Sequence, residues 1–308
     1  MSQGLHIAVT GATGYVGHYV VRELLERGHT VTAISRSGAK SSTASGKTLA
    51  TFEGVKYVGG DVSSARNLDL ALAGADVVVH LVGIIAERGD QTFQNVHVSG
   101  TKNVLEAAKK AGVKRYLHMS ALGASATAVS GYSASKFAAE ELVRASGLEY
   151  TIFRPSLIFG EGDDFFGRVL KNLVSSTPIV PQIGDGSFPF RPVWVGDVAK
   201  SFAQSLDIPE TIGQIYDLVG SKEFSFKELL LLEMSALGIK KPLVPAPIFL
   251  MDIAVPLMQI LGSLAPITTH QYAMLKAGNT ADPSKMNATF RLENRPLETE
   301  LPKLLGRK

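Results

Sequence analysis

Three residues in the middle of the chain have the types and spacing of a redox site. Tyr132 and Lys136 stand four apart at the start of a helix-like run, "YSASKFAAEELVRASG", which puts both side chains on one helix face. A lysine ammonium beside a phenol favours the phenolate, lowers the phenol's pKa and prepares it as a general acid or base. Ser120 ends an apolar run, "RYLHMS", where its hydroxyl would orient a substrate oxygen while a nicotinamide gives or takes the hydride. This chemistry requires a dinucleotide, a strand to present the serine and a helix to carry the pair.

The opening "HIAVTGATGYVGHYVVRELLERG" meets the first requirement. "IAVT" (Ile7 to Thr10) suits a buried parallel strand, and Val20, Leu24 and Leu25 recur at helical spacing before Gly28 ends the run. "TVTAIS" (Thr30 to Ser35) is a second strand, so the segment reads as a βαβ unit. Gly11 permits the tight turn, and Gly14 lets backbone amides approach a pyrophosphate. Gly17 lets the helix pack closely on the strand with its positive N-terminus toward the phosphates. Thr13, Tyr15 and Val16 complete the same cradle. An NAD site usually places a carboxylate at the end of the second strand, but this chain has "ISRSGAK". Arg36 can pair bidentately with a ribose 2′-phosphate and Ser37 can donate to it, so NADP(H) is expected to be preferred, with NAD(H) the alternative. The polar "SGAKSSTASGKTLA" that follows reads as a mobile loop beside the adenosine end.

Strands and helices keep alternating. "VKYVGGDV" (Val55 to Val62) reads as a third strand, with Asp61 placed for an adenine amine and Val62 beside the ring. "ADVVVHLVG" (Ala75 to Gly83) reads as a fourth, with Leu81, Val82 and Gly83 along the cofactor. A long helix, "FQNVHVSGTKNVLEAAKKAG", leads to the fifth strand, and "EYTIFRP" (Glu149 to Pro155) is the sixth. Pro155 and Ile158, at and just beyond its end, join the cofactor set, as do Tyr132 and Lys136. This succession predicts an α/β fold, a Rossmann-type doubly wound parallel sheet with ligands at the strands' carboxyl ends. Residues 1–158 are assigned to the dinucleotide-binding domain. Residues 159–308 form a smaller substrate or interaction lobe interleaved with late sheet elements. There, "GQIYDLVG" reads as one more strand and "SFKELLLLEMSALG" as a helix capped by Ser225.

Composition narrows the partners. The 308 residues carry a formal charge of +3, with 45% hydrophobic and 19% charged residues. That supplies a large core and gives no reason to invoke nucleic acid. With no cysteine, disulfides, thiolate metal sites and cysteine nucleophiles are excluded. His80, His97 and His118 lack metal-ligand spacing and are expected to be satisfied core or surface residues, so no metal is expected. No export signal is read at the N-terminus, and a cytoplasmic protein is the expectation. Prolines and Asp252 interrupt the apolar stretch "PLVPAPIFLMDIAVPLMQILGSLAP" (Pro242 to Pro266) too often for a spanning helix. It reads as a lid over an apolar pocket, or as a contact with a membrane surface or a partner protein.

Taken together, "TGATGYVG", "YSASK" and Ser120 resemble the short-chain dehydrogenase/reductase superfamily, and "RPSLIFG" its extended and atypical branches. The phrases "VHVSGTKNVLEAAKKAGVKRYLHMSALGA", "TIFRPSLIFGEGDDFFGRV", "VWVGDVAKSF", "ITTHQYAMLKAGNT" and "NRPLETELPKLL" resemble the group of the accessory NAD(P)H-binding subunit of respiratory complex I and its bacterial relatives. The superfamily resemblance implies carbonyl–alcohol redox or sugar epimerisation through Ser120, Tyr132 and Lys136. The narrower one implies a tightly bound, stabilising nucleotide and a peripheral place on a respiratory complex. The segment "SALGASATAVSGY" is short for a sugar-nucleotide epimerase and lacks a Val-Tyr-Gly phrase after the serine. Three functions follow as expectations: a stabilising NADP(H) binder, an NADP(H)-dependent reductase for a lipophilic carbonyl or quinone-like compound, and a redox-sensing regulator.

Overall fold

Ile7 and Val9 point to one side of a short strand and Ala8 to the other, and all three are fully buried. A strand buried on both faces must lie inside a sheet covered by helices twice over, and the rest of the chain supplies that cover. The computed structural model describes residues 4–38, 52–128, 130–176, 178–260 and 267–306. Most of the loop expected after Ser37, and the last part of the apolar stretch at 242–266, lie outside the described residues.

In chain order the first half comprises β1 (His6–Thr10), α1 (Tyr15–Glu26), β2 (Thr30–Ser35), β3 (Lys56–Gly59), α2 (Leu68–Leu72) and β4 (Val77–His80). A π-wound turn (Gln94–Ser99) opens α3 (Gly100–Lys110), followed by β5 (Arg115–Met119), α4 (Gly131–Arg144) and β6 (Glu149–Pro155). The second half contains β7 (Ile158–Phe159), α5 (Lys171–Ser176), β8 (Val180–Ile183), β9 (Pro189–Phe190), β10 (Val193–Trp194) and α6 (Val195–Gln204). It continues with β11 (Gln214–Leu218), β12 (Phe224–Ser225), α7 (Phe226–Leu237), β13 (Leu243–Ala246) and α8 (Ile248–Met258). The chain closes on α9 (Thr269–Ala277), α10 (Ser284–Thr289) and α11 (Leu297–Leu304).

Seven strands form one parallel sheet in the order β11-β6-β5-β4-β1-β2-β3. The order reverses between β1 and β4, so connections leave in opposite directions there and open a crevice at the carboxyl ends. On one face α1 and α6 pack over Ile7, Val9, Val77, Val79, Leu117 and Phe153, with Met286 and Phe290 returning late in the chain. On the other, α2 and α3, with Val143 of α4, cover Ala8, Ile34, Val78, Tyr116 and Ile152. The doubly wound sheet is thus as expected, though four strands are shorter, β11 among them because Gly213, Val219 and Gly220 fall outside it. Val55 and Gly60 to Val62 fall outside β3, Ala75, Asp76 and Leu81 to Gly83 outside β4, and Ser120 outside β5. Gly60 to Val62, Leu81 to Gly83 and Ser120 follow their strands, where the chain turns into a connection at the carboxyl edge, whereas Val55, Ala75 and Asp76 precede theirs at the opposite edge. The helix expected from Phe93 begins instead as a π-wound turn.

The late elements build a separate apolar cluster. Phe159, Phe166, Leu170, Val180, Phe190 and Phe226 pack with Leu229, Leu230 and Leu301. Ser225 caps α7 in a reciprocal box with Glu228, as the sequence signalled. By contrast, α8 buries only Val255 fully, leaving Phe249 66% and Ile253 61% exposed.

One acid in this cluster lacks compensation. Glu233 of α7 is fully buried, and neither carboxylate oxygen has a hydrogen-bond partner among the described residues. Burial, reinforced by Asp163, pushes its pKa up to about 8. Between the ordinary carboxylate range and pH 8 the folded chain therefore holds a proton that the unfolded chain has released. Stability falls as pH rises through that window. Glu233→Gln removes the titration, so the variant's advantage over the parent should grow by roughly 3–5 kcal/mol from pH 5 to pH 9. Denaturant titrations at the two pH values check this, and a constant difference would contradict it.

Candidate functional site

The glycine-rich turn joins β1 to α1. Gly11 has a φ of +74°, and a Cβ there would come 3.2–3.3 Å from Leu81 and Val82, so the turn lies directly against the end of β4. A Cβ on Gly17 would come 2.1 Å from the Gly11 carbonyl oxygen and 2.8 Å from the Ala12 backbone, so the helix can approach the turn this closely only without a side chain there. Gly14 is exposed and serves as the N-cap of α1. No side chain caps that end and no acid occupies its first turn. The leading amides of this twelve-residue helix have no carbonyl ahead of them in the helix, which suits an anion. Thr13 and Tyr15 are half-buried and Val16 is buried. The Tyr15 hydroxyl is buried without a partner among the described residues, and a Cβ on Gly160 would come within 2.8 Å of it. The residues present therefore fit a dinucleotide pyrophosphate.

The adenosine side follows from the ends of β2 and β3. Arg36 is exposed, and its Nη1 donates to Gln91 Oε1 at 2.9 Å, while Ser37 beside it is exposed too. Asp61 accepts from both the backbone and hydroxyl of Ser63 at 2.9 and 2.7 Å, an Asx turn that fixes its carboxylate at the strand end. Val62 is buried against Gly100, and its carbonyl accepts from Asn103. Leu81 is buried, Val82 half-buried and Gly83 exposed. At the end of β6, Pro155 is buried and accepts from the Leu122 amide, and beyond it Ile158 pairs with Val193.

Ser120, Tyr132 and Lys136 are brought to the same edge, but the Ser120 hydroxyl and the Lys136 ammonium bond to other partners. Ser120 Oγ donates to the fully buried Glu140 Oε1 at 2.5 Å. Lys136 Nζ donates to the Met119 carbonyl at 3.1 Å and lies against Gly83, where a Cβ would come within 2.9 Å of it. Burial lowers the Lys136 pKa to about 8, partly offset by the charge of Glu140. Burial alone pushes the half-buried Tyr132 phenol up to about 12. Burial thus opposes the acidification that the spacing of Tyr132 and Lys136 suggested, while the ammonium is hydrogen-bonded to a backbone carbonyl.

Four residues at the site were not singled out for it in the sequence. Glu140, four positions after Lys136, accepts from Arg154 through both oxygens (2.7 and 2.6 Å) and from Arg144 at 2.8 Å. The ion pair with Arg154 ties α4 to β6, and it also captures the Ser120 hydroxyl. Phe93 and His97 stack and pack edge-on against Tyr132. His270 of α9 meets Phe93 edge-on, and its Nδ1 accepts from the Gly131 amide at 3.3 Å. The spacing of Glu140 from Lys136 was visible in the sequence, but the arginines it meets come from another strand and another turn. The other histidines are mostly satisfied as expected, with His80 bonded to Thr10 and Thr101. His118 departs from that expectation, since both its ring nitrogens are buried without a partner among the described residues. Packed between strand neighbours, and with burial holding its pKa well below the usual histidine range, it has no polar group in reach. No group of residues able to hold a metal occurs among the described residues.

A Rossmann sheet with a glycine cradle at its reversal point defines a dinucleotide-binding protein, and comparison with known proteins identifies its family. Residues 11–168, just over half of the chain, match the NAD(P)H-binding family, and the chain belongs to it. Among curated proteins, the chain is 32% identical over 231 residues to an NADH dehydrogenase (ubiquinone) 1 alpha subcomplex subunit 9 of Arabidopsis thaliana, covering 73% of this chain and 56% of that protein. It is 30% identical over 229 residues to the 40 kDa NADH-ubiquinone oxidoreductase subunit of Neurospora crassa, covering 74% and 59%. A ceramide reductase of Caulobacter vibrioides is 34% identical over 182 residues, covering 59% and 55%. The chain thus spans less than two thirds of the length of these relatives. In fold it is similar to a UDP-glucose 4-epimerase of Thermotoga maritima solved with UDP-glucose, with a TM-score of 0.75, 18% identity and 98% of each chain covered. It is likewise similar to the Thermus thermophilus UDP-glucose 4-epimerase in complex with NAD, at TM-score 0.74 and 20% identity, again covering 98% of each chain.

The two helix-side glycines should separate folding from binding. Gly17→Ala drives a methyl into backbone and should cost roughly 1–3 kcal/mol of stability. Gly14→Ala meets only the Gly11 carbonyl oxygen, at 3.2 Å, so it should spare stability while weakening dinucleotide binding. Thermal melts paired with nucleotide titrations check this, and equal destabilisation by both changes would contradict the geometry.

Proposed function

We propose that the chain binds NADP(H) at the carboxyl edge of the sheet, and that the nucleotide chiefly stabilises the protein instead of being turned over. The observation that carries the second half is the 2.5 Å hydrogen bond from Ser120 to Glu140. A hydroxyl has one proton to donate, and here a buried carboxylate takes it, so Ser120 has none left for a substrate oxygen. The phenol pushed up to about 12 and the ammonium turned to Met119 support the same reading. A bound nicotinamide supplies a hydride donor or acceptor. In this reading Lys136 holds its ribose, Gly11, Gly14 and Gly17 admit the pyrophosphate with Thr13, Tyr15 and Val16 around it, and Arg36 and Ser37 take the 2′-phosphate. Asp61, Val62, Leu81, Val82, Gly83, Pro155 and Ile158 line the remainder. Residues 1–158 then form the nucleotide-binding domain, with 159–308 as the smaller lobe that β11 joins to the sheet.

The similarity to complex I subunits supports a peripheral place on a respiratory complex or membrane surface. The exposed apolar side chains of α8 at Phe249, Leu250, Ile253 and Leu257 support a contact of that kind. No helix among the described residues is long and apolar enough to cross a membrane. A second reading, reduction of a lipophilic carbonyl, draws on the relative named ceramide reductase and on the shared helix face of Tyr132 and Lys136. There Tyr132 would protonate the nascent alkoxide.

Calorimetric titration tests the cofactor half. Arg36→Ala should weaken NADP(H) by roughly 1.5–3 kcal/mol and barely change NAD(H). Equal affinity of the parent for both nucleotides would overturn the preference. For the stabilising role, saturating NADPH at about 100 times Kd should stabilise parent and Tyr132→Phe alike, by about 2.7 kcal/mol. Rapid NADPH oxidation with a defined ketone, lost in Tyr132→Phe, would instead establish the reductase.

A further inference from the structure

His97 lies where two parts of the site must meet, and none of its contacts is accidental packing alone. Its ring is 1% exposed and sits on the π-wound turn ahead of α3. Its Nε2 accepts the Ile84 backbone N–H at 3.0 Å, directly after Gly83 in the segment that follows β4. An amide can only donate, so Nε2 carries no proton and Nδ1 does. That proton points to Ser135 Oγ at 2.8 Å, and Ser135 Oγ passes its own to the Tyr132 carbonyl at 2.7 Å. A single chain of hydrogen bonds, Ile84 to His97 to Ser135 to Tyr132, thus runs from the edge of the sheet to the first turn of α4.

The geometry around this chain leaves little slack. A Cβ on Gly83 would come 2.9 Å from Lys136 Nζ and 3.4 Å from His97 Nε2, so the histidine, the lysine and the strand end share one small volume. Phe93 stacks on one side of the His97 ring, and Tyr132 closes the edge. Burial, together with the nearby charge of Lys136, lowers the His97 pKa to about 2, which keeps the ring neutral, while the Ile84 amide sets its tautomer. A π-turn in place of a regular helical turn shifts where a side chain projects, and such turns recur at functional sites.

We propose that His97 is a positioning residue that braces the Gly83–Ile84 strand end against the Tyr132–Lys136 face, and thereby shapes the end of the site that receives the nicotinamide ribose. This rests on the reading that a nicotinamide dinucleotide binds here. The brace touches only that end, because the adenosine end is built by Arg36, Asp61 and their neighbours on β2 and β3. Loss of the brace should therefore affect the two halves of the ligand unequally, whereas loss of a merely structural histidine would affect them together.

The test compares NADPH with adenosine 2′,5′-bisphosphate, which carries the adenosine half alone, by calorimetric titration of the full chain. If the parent prefers NADH, then NADH and ADP serve in the same way. His97→Ala should weaken the whole dinucleotide about tenfold and leave the adenosine fragment nearly unchanged, the expected scale for orphaning buried polar groups. His97→Gln retains an acceptor for Ile84 and should restore much of the affinity. His97→Asn retains the donor toward Ser135 but loses Ile84, and should behave like His97→Ala. These two near-isosteric changes keep the test valid if His97→Ala folds poorly. Equal weakening of both ligands, or wild-type affinity for both in His97→Ala and His97→Asn, would overturn the proposal. A parent that binds neither dinucleotide would instead overturn the functional reading on which it stands.

Discussion

The first turn of α1 can rest on the end of β1 only because residue 17 has no side chain. With the Gly11 carbonyl 2.1 Å from where a Cβ would stand, this contact sets how near the helix comes to the sheet. Much else follows from it. The uncapped N-terminus of α1 is held at the reversal of strand order, Gly11 is pressed against Leu81 and Val82, and Val16, Val20 and Leu24 face Ile7 and Val9 in the core. Backbone amides are presented at a fixed point, which is what an anionic ligand needs and what a flexible loop cannot give.

The other half of the site depends on α4. Glu140 fastens that helix to β6 through Arg154, and a buried carboxylate so paired is costly to disturb. The same carboxylate accepts from the Ser120 hydroxyl, so the interaction that positions the helix also engages that side chain. In the proposed role, this arrangement serves to hold a nucleotide, with Glu140 keeping α4 on β6.

The sheet was legible because its strands are short apolar runs bounded by glycines, and the cradle because a positive φ and a close approach both demand glycine. The capped helix at Ser225 was legible for a similar reason, since a capping box is a local four-residue pattern. What stayed hidden was long-range. Nothing near Glu140 in sequence announces Arg154, and nothing near His97 announces Ile84 or Ser135. The turn of Lys136 toward Met119 is equally invisible, because side-chain spacing on a helix gives direction without naming the partner. His118 shows the converse: a polar residue in an apolar strand gave no sign that it would be buried without a hydrogen bond.

The claim that this chain is built to retain a dinucleotide is tested most directly by native mass spectrometry of protein purified without added cofactor. The account predicts a mass increment of one NADP(H) per chain. A bare chain that also takes up neither NADPH nor NADH when either is supplied in excess would contradict it.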